Sequence, residues 1–216
     1  YIAHVATAYR NLGNFEKELE YRQKVLSVNI SNLGYNSEKV AKSLVDIGFT
    51  YGHMKQYDKQ KEYIQKSLEI RIKLFGDNHK DVAETYYNLG YTYHDLCDLQ
   101  NAIVNLNKYL DISKQINGEE DIKVAVSYNN IGLLYRDNKQ YDMALEYLRK
   151  SLLLKKEYHK DQMSEIATTY DNIGLVYADM KQFDKAIMNF NECLKIRFEL
   201  YGGSDVNLIS IYEHLG

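Results

Sequence analysis

Sliding this sequence by 42 residues lays it upon itself. The shift superimposes Val40, Val82, Val124, Ile166 and Leu208, and with them Gly48, Gly90, Gly132, Gly174 and Gly216. It also carries Tyr9 onto Tyr51, Tyr93, Tyr135 and Tyr177, and Leu26 onto Leu68, Leu110, Leu152 and Leu194. Periods of this length constrain the fold strongly, because one such unit can bury its apolar face only against its neighbours. The reading is a single elongated array over residues 1–216. It divides into a first, incomplete unit at 1–39, further units at 40–81, 82–123, 124–165 and 166–207, and the start of a sixth at 208–216.

Within a unit the recurrent residues fall at helical spacing. Tyr86, Leu89, Gly90 and Tyr93 stand at i, i+3, i+4 and i+7 on a first helix; Leu99, Ala102, Ile103, Leu106 and Leu110 form the stripe of a second. Asp98, in the short break, is placed to cap the second helix. Gly on the first helix and Ala on the second remove bulk where the two cross, which explains a mid-helix glycine that otherwise costs about 1 kcal/mol. Tyr51, Tyr93, Tyr135 and Tyr177 belong to the packing stripe, with Tyr86, Tyr128 and Tyr170 one turn earlier. Glu38, Asp81, Asp121, Glu165 and Asp205 gather at the starts of first helices, where their charge suits the helix dipole. Lys160 stands in the column of Gly34, Gly76, Gly118 and Gly202, so the helix before it is expected to end differently or run longer.

The early second helices depart from the pattern. Glu18 and Arg22 take places that later units give to Ala and a large apolar residue, and Gln60 and Lys61 replace the Ala102 and Ile103 types. These positions are expected to pack less well and the first two hairpins to open before the middle ones. Tyr212 and Leu215 start a further first helix, an expectation of a longer array.

A net charge of −3 gives no electrostatic footprint for nucleic acid, and no run of apolar residues is long enough to span a bilayer. Cys97 and Cys193 occupy different columns two units apart, so they are read as separate thiols, which favours a reducing, cytoplasmic setting. His4, His53, His79, His94, His159 and His214 show no metal-binding spacing; His53 and His94, on successive first helices, are the nearest to a pair, and surface histidines are the simpler reading. No nucleophile with a base is apparent, and the expectation is a chain that is not an enzyme and needs no cofactor or metal.

The segments AsnLeuGly at Asn88 to Gly90 and AsnIleGly at Asn130 to Gly132 and Asn172 to Gly174, each followed by Tyr, resemble the tetratricopeptide repeat family over the full chain. The longer period and the stretch from Leu68 to Ala83 resemble the kinesin-light-chain subtype, although Lys80 stands where that loop usually has Pro. The resemblance implies an all-α, right-handed superhelical solenoid of antiparallel helix hairpins. Its first helices would line a concave groove receiving extended peptides or partner helices, so the implied function is a protein–protein interaction scaffold. A regulatory or sensor module of a larger signalling protein or enzyme, and an architectural spacer in an assembly, remain as alternatives. Oligomeric state is left open.

On a helical wheel the groove face holds Lys42, Val45, Asp46 and Phe49, then Glu84, Tyr87, Asn88 and Tyr91, then Val126, Asn129, Asn130 and Leu133, then Thr168, Asp171, Asn172 and Leu175. Asn88, Asn130 and Asn172 form a ladder in one column, extended by Asp46 and His4, whose amides suit a peptide backbone. Asp46, Glu84, Asp95, Asp137, Asp171 and Asp179 outnumber Arg10, Lys42 and Arg136 on and beside this face. The expected partner is therefore a peptide with a basic residue and an apolar anchor, the anchor meeting Phe49, Tyr87, Tyr91 and Leu133.

Overall fold

The computed structural model describes residues 1–202. The sixth-unit readings at Asp205, Leu208, Tyr212, His214, Leu215 and Gly216 lie outside the described residues. Ten α-helices occur among the described residues, and no strand. They fall in two compact units, one ending at Ile116 and the other starting at Asn117.

The first unit contains α1 (Ile2–Asn11), α2 (Phe15–Leu33), α3 (Glu38–His53), α4 (Tyr57–Phe75), α5 (Lys80–Asp95) and all but the last residue of α6 (Leu99–Asn117). The second contains α7 (Ile122–Asp137), α8 (Tyr141–Tyr158), α9 (Met163–Asp179) and α10 (Phe183–Tyr201). Odd-numbered helices are the first helices of hairpins and even-numbered ones the second. The expected stripes are buried: Ala102, Ile103, Leu106 and Leu110 on α6, and Ala144, Leu145 and Leu148 on α8. Tyr51 and Tyr177 are buried in the same way, while Tyr93 and Tyr135 are half-buried.

The glycine column lies where the helices cross. A methyl group added at Gly90 would sit 2.6 Å from Leu106 Cδ2, at Gly132 2.8 Å from Leu148 Cγ, and at Gly174 2.5 Å from Phe190 Cε1. A methyl there would force the Leu106, Leu148 or Phe190 side chain to shift. Each hairpin turn closes with a residue in the left-handed region, Gly13 in the first hairpin and Lys55, Cys97, Lys139 and Lys181 in the others. The chain bears that conformation because two backbone bonds close around it, as from Lys139 N to the Arg136 carbonyl and from Gln140 N to the Tyr135 carbonyl, both 2.8 Å.

Helix starts follow the sequence in part. Asp98 accepts from Asn101 N at 3.2 Å and Asp121 from Lys123 N at 2.7 Å. At α5 the capping acceptor is His79 Nδ1, which takes the Asp81 N–H at 3.2 Å and stacks its ring on Phe75 at 4.2 Å; it is a structural histidine. α8 stops at Tyr158, one residue short of its counterparts, because Lys160 replaces the glycine that lets the other helices end with a positive φ.

One expectation about packing is corrected. Glu18 and Arg22 are buried, at 1% and 8% exposure, in the positions where poor packing was expected. Arg22 reaches Glu18 Oε1 at 3.4 Å and Asp46 Oδ2 on α3 at 2.9 Å, so a charge cluster fills the space that Ala and Leu fill later. Gln60 is also buried, and its amide lies where Gly52 leaves room, since a methyl at Gly52 would come within 2.5 Å of Gln60 Oε1. At Gln60 polar volume is traded against glycine, with its Oε1 left without a hydrogen-bond partner.

Candidate functional site

On α3 and α5 of the first unit, Lys42, Phe49, Glu84 and Tyr91 are exposed, and Asp46, Tyr87 and Asn88 are half-buried. Phe49 and Tyr91 keep 39% and 41% of their surface in the open, high for large apolar rings on packed helices. The Tyr87 ring lies 4.8 Å from that of Tyr91 and 5.0 Å edge-on from that of Tyr109 on α6, which fixes its position. Burial and a hydrogen bond with Tyr87 push the Tyr91 phenol well above the usual tyrosine range, so that ring is neutral.

In the second unit the faces of α7 and α9 behave differently. Asn172 donates from Nδ2 to Asn129 Oδ1 at 3.0 Å, and both are buried. Asn130 is half-buried, as are Leu133, Asp171 and Leu175. The ladder is thus redrawn: Asn172 meets Asn129, one residue out of column with Asn130. Arg136 and Asp179 pair with the same offset, at 2.6 Å. α7 and α9 are rotated so that equivalent residues are not nearest neighbours. Among the described residues the Asn88 and Asn130 side chains make no hydrogen bond.

Carboxylates of the face are met by cations that the wheel did not count, because they stand on second helices. Asp46 is held by Arg22, and Glu84 lies 3.8 Å from Arg71 Nη1. The net acid excess of the face is therefore smaller than its own residues suggest. Glu84 retains 65% side-chain exposure, whereas Arg71 is committed at 2.7 Å to both Thr85 Oγ1 and the Asp81 carbonyl.

That arginine belongs to a feature the sequence reading missed. Asn29, Arg71, Ser113, Lys155 and Arg197 occupy one column of the second helices, and Ser43, Thr85, Ser127 and Thr169 one column of the first. Asn29 donates to Ser43 Oγ at 2.9 Å, Arg71 to Thr85 and Lys155 to Thr169 Oγ1 at 2.9 Å, so a buried polar bond joins a second helix to the first helix that follows it. Lys155 is 1% exposed, and this burial lowers its pKa despite Glu165 at 3.4 Å. The signal was available as a polar residue recurring at the period inside an apolar helix.

No group of three or more His, Cys, Asp or Glu side chains among the described residues is arranged to hold a metal ion. His53 stacks on Phe15 at 5.4 Å. Cys97 is an exposed thiol and Cys193 a buried one whose pKa is raised, first by burial. Among the described residues no helix is long and apolar enough to cross a membrane.

Comparison with solved structures places this architecture among repeat proteins. BtubC (BKLC) from P. vanneervenii superposes with a TM-score of 0.82 at 22% identity, covering 94% of this chain and 81% of that one. A kinesin light chain protein of Podosopora anserina with nearly identical TPR-like repeats gives 0.82 at 16% identity, over 93% and 95% of the two chains. The apo form of RapI gives 0.73 at 16% identity, over 99% and 80%. At these identities the likeness speaks for the fold. No curated protein sequence matches the chain. The family model for the tetratricopeptide repeat matches residues 39–115, 81–157 and 123–197. With hairpins crossing at glycine and alanine and a kinesin-light-chain-like period, the chain belongs to the tetratricopeptide repeat family.

Proposed function

We propose that this chain is a non-catalytic, cytoplasmic scaffold that binds a partner protein through an extended peptide or helix laid across its first helices. The carrying observation is the surface of α3 and α5, where Phe49 and Tyr91 stay exposed beside an Asn88 amide that makes no hydrogen bond among the described residues. Such rings offer apolar area at small conformational cost, and such an amide pairs with both N–H and C=O of a peptide. Asn130 beside Leu133 offers the same on α7. Lys42 and Asp46 flank Phe49 on α3 in the first unit; in the second unit Leu175 flanks the face of α9, and Asn129, Asn172 and Asp171 support that unit's own face from within. A basic residue in the partner would find Glu84 the most open carboxylate.

The test is capture of partners from a lysate of the source organism by wild type and by Phe49→Asp with Tyr91→Asp, both shown to be helical by circular dichroism. Partners should be retained by the wild type and lost by the variant. Equal capture would move the binding surface off α3 and α5. In a second arm Asn130→Ala is expected to weaken a captured peptide by about threefold to tenfold, the worth of one hydrogen bond.

A further inference from the structure

Several tyrosines outside the proposed face lie under lysine side chains. In the first unit, lysine ammonium groups stand over the rings of Tyr51, Tyr63, Tyr86 and Tyr93, at 5.1, 5.3, 4.8 and 5.9 Å from their centroids. No lysine among the described residues stands over Tyr87 or Tyr91. Yet Tyr91 is 41% exposed, and Glu84 lies on the same stripe of α5, three residues before Tyr87 and seven before Tyr91.

Glu84 is poorly matched within the fold. Among the described residues its one ion-pair partner is Arg71 at 3.8 Å, whose Nη1 already donates to Thr85 Oγ1 and the Asp81 carbonyl. Lys42, the residue of α3 in the same column, makes no ion pair among the described residues. An open carboxylate on the same helix stripe as two electron-rich rings, neither with a lysine over it among the described residues, is a site for a cation supplied from outside. A planar guanidinium suits it better than an ammonium, because it stacks on a ring face while pointing paired N–H donors at a carboxylate in the same plane.

We propose that Glu84, Tyr87 and Tyr91 bind an arginine side chain of the partner, stacked on Tyr91 and hydrogen-bonded to Glu84, while Phe49 takes the apolar anchor. This rests on the peptide-binding reading above and departs from the expectation that the tyrosines themselves hold an apolar residue.

The experiment is selection of a randomised heptapeptide display library on the full chain, on Phe49→Asp, on Glu84→Gln and on Tyr91→Leu. Arginine should be enriched on the wild type. Glu84→Gln and Tyr91→Leu should each still select peptides but without arginine preference. A synthetic peptide from the wild-type pool should bind Glu84→Gln about fivefold more weakly and lose as much when citrulline replaces its arginine. Peptides that depend on Phe49 but carry no arginine bias, or an arginine bias that survives both α5 variants, would overturn this assignment and leave the peptide-binding face intact. A pool no different between wild type and Phe49→Asp would overturn both.

Discussion

Arg22→Leu puts into α2 the kind of residue that Leu106 and Leu148 supply in later hairpins, yet it should destabilise the first hairpin. Glu18 is 1% exposed, and its Oε1 receives both Nε and Nη2 of Arg22 at 3.4 Å, while Oε2 has no hydrogen-bond partner. Without the guanidinium a buried carboxylate is left with no counter-charge, a loss of about 3–5 kcal/mol where one partner of a buried pair is removed. Glu18→Ala is milder, about 1 kcal/mol, because Arg22 keeps Asp46 at 2.9 Å and that carboxylate remains 32% exposed. The double variant restores Ala over Leu as in α6 and should be neutral or more stable than wild type, since apolar replacement of buried ion pairs often gains about 1–4 kcal/mol. The coupling between the two sites is then about 4 kcal/mol or more. Hydrogen exchange of amides in α2 and α3 is the appropriate readout, because an array opens hairpin by hairpin and a global melt would dilute the effect. A double variant as unprotected as the two single losses added together would refute the reasoning.

Gly132→Ala should cost about 1–3 kcal/mol in urea unfolding despite alanine's better helix propensity, since its methyl would lie 2.8 Å from Leu148 Cγ; Gly48→Ala, with Ile64 Cγ1 at 3.1 Å, should cost less. Lys139 has φ 58°, so Lys139→Val should be less stable than Lys139→Gly by about 1–2 kcal/mol in the same assay, and equal midpoints would contradict a turn held in the left-handed region. Lys155 has its folded pKa pushed below the unfolded one, so the unfolded chain binds more protons between the two values and stability should rise with pH across that window. Lys155→Met should accordingly gain most over wild type at neutral pH and less as pH approaches the ordinary lysine range; a gain that grows with pH would show the opposite sign.

The period alone determined the hairpins, the Gly and Ala crossing and the apolar stripes, because these follow from helical spacing and from what a crossing of two backbones admits. It also placed Phe49, Tyr91, Asn88 and Asn130 on the surfaces of first helices. Which residues touch across helices was settled only by tertiary structure. Periodicity says that Asn130 and Asn172 are equivalent; the rotation between α7 and α9 makes Asn129 the partner of Asn172, and Arg136 the partner of Asp179. Polar residues in apolar columns were likewise ambiguous in sequence. Glu18 and Arg22 read as defects and Lys155 was not singled out, but a buried charge is decided by its neighbours in space, and Asp46 on α3 and Thr169 on α9 reach Arg22 and Lys155 from other helices.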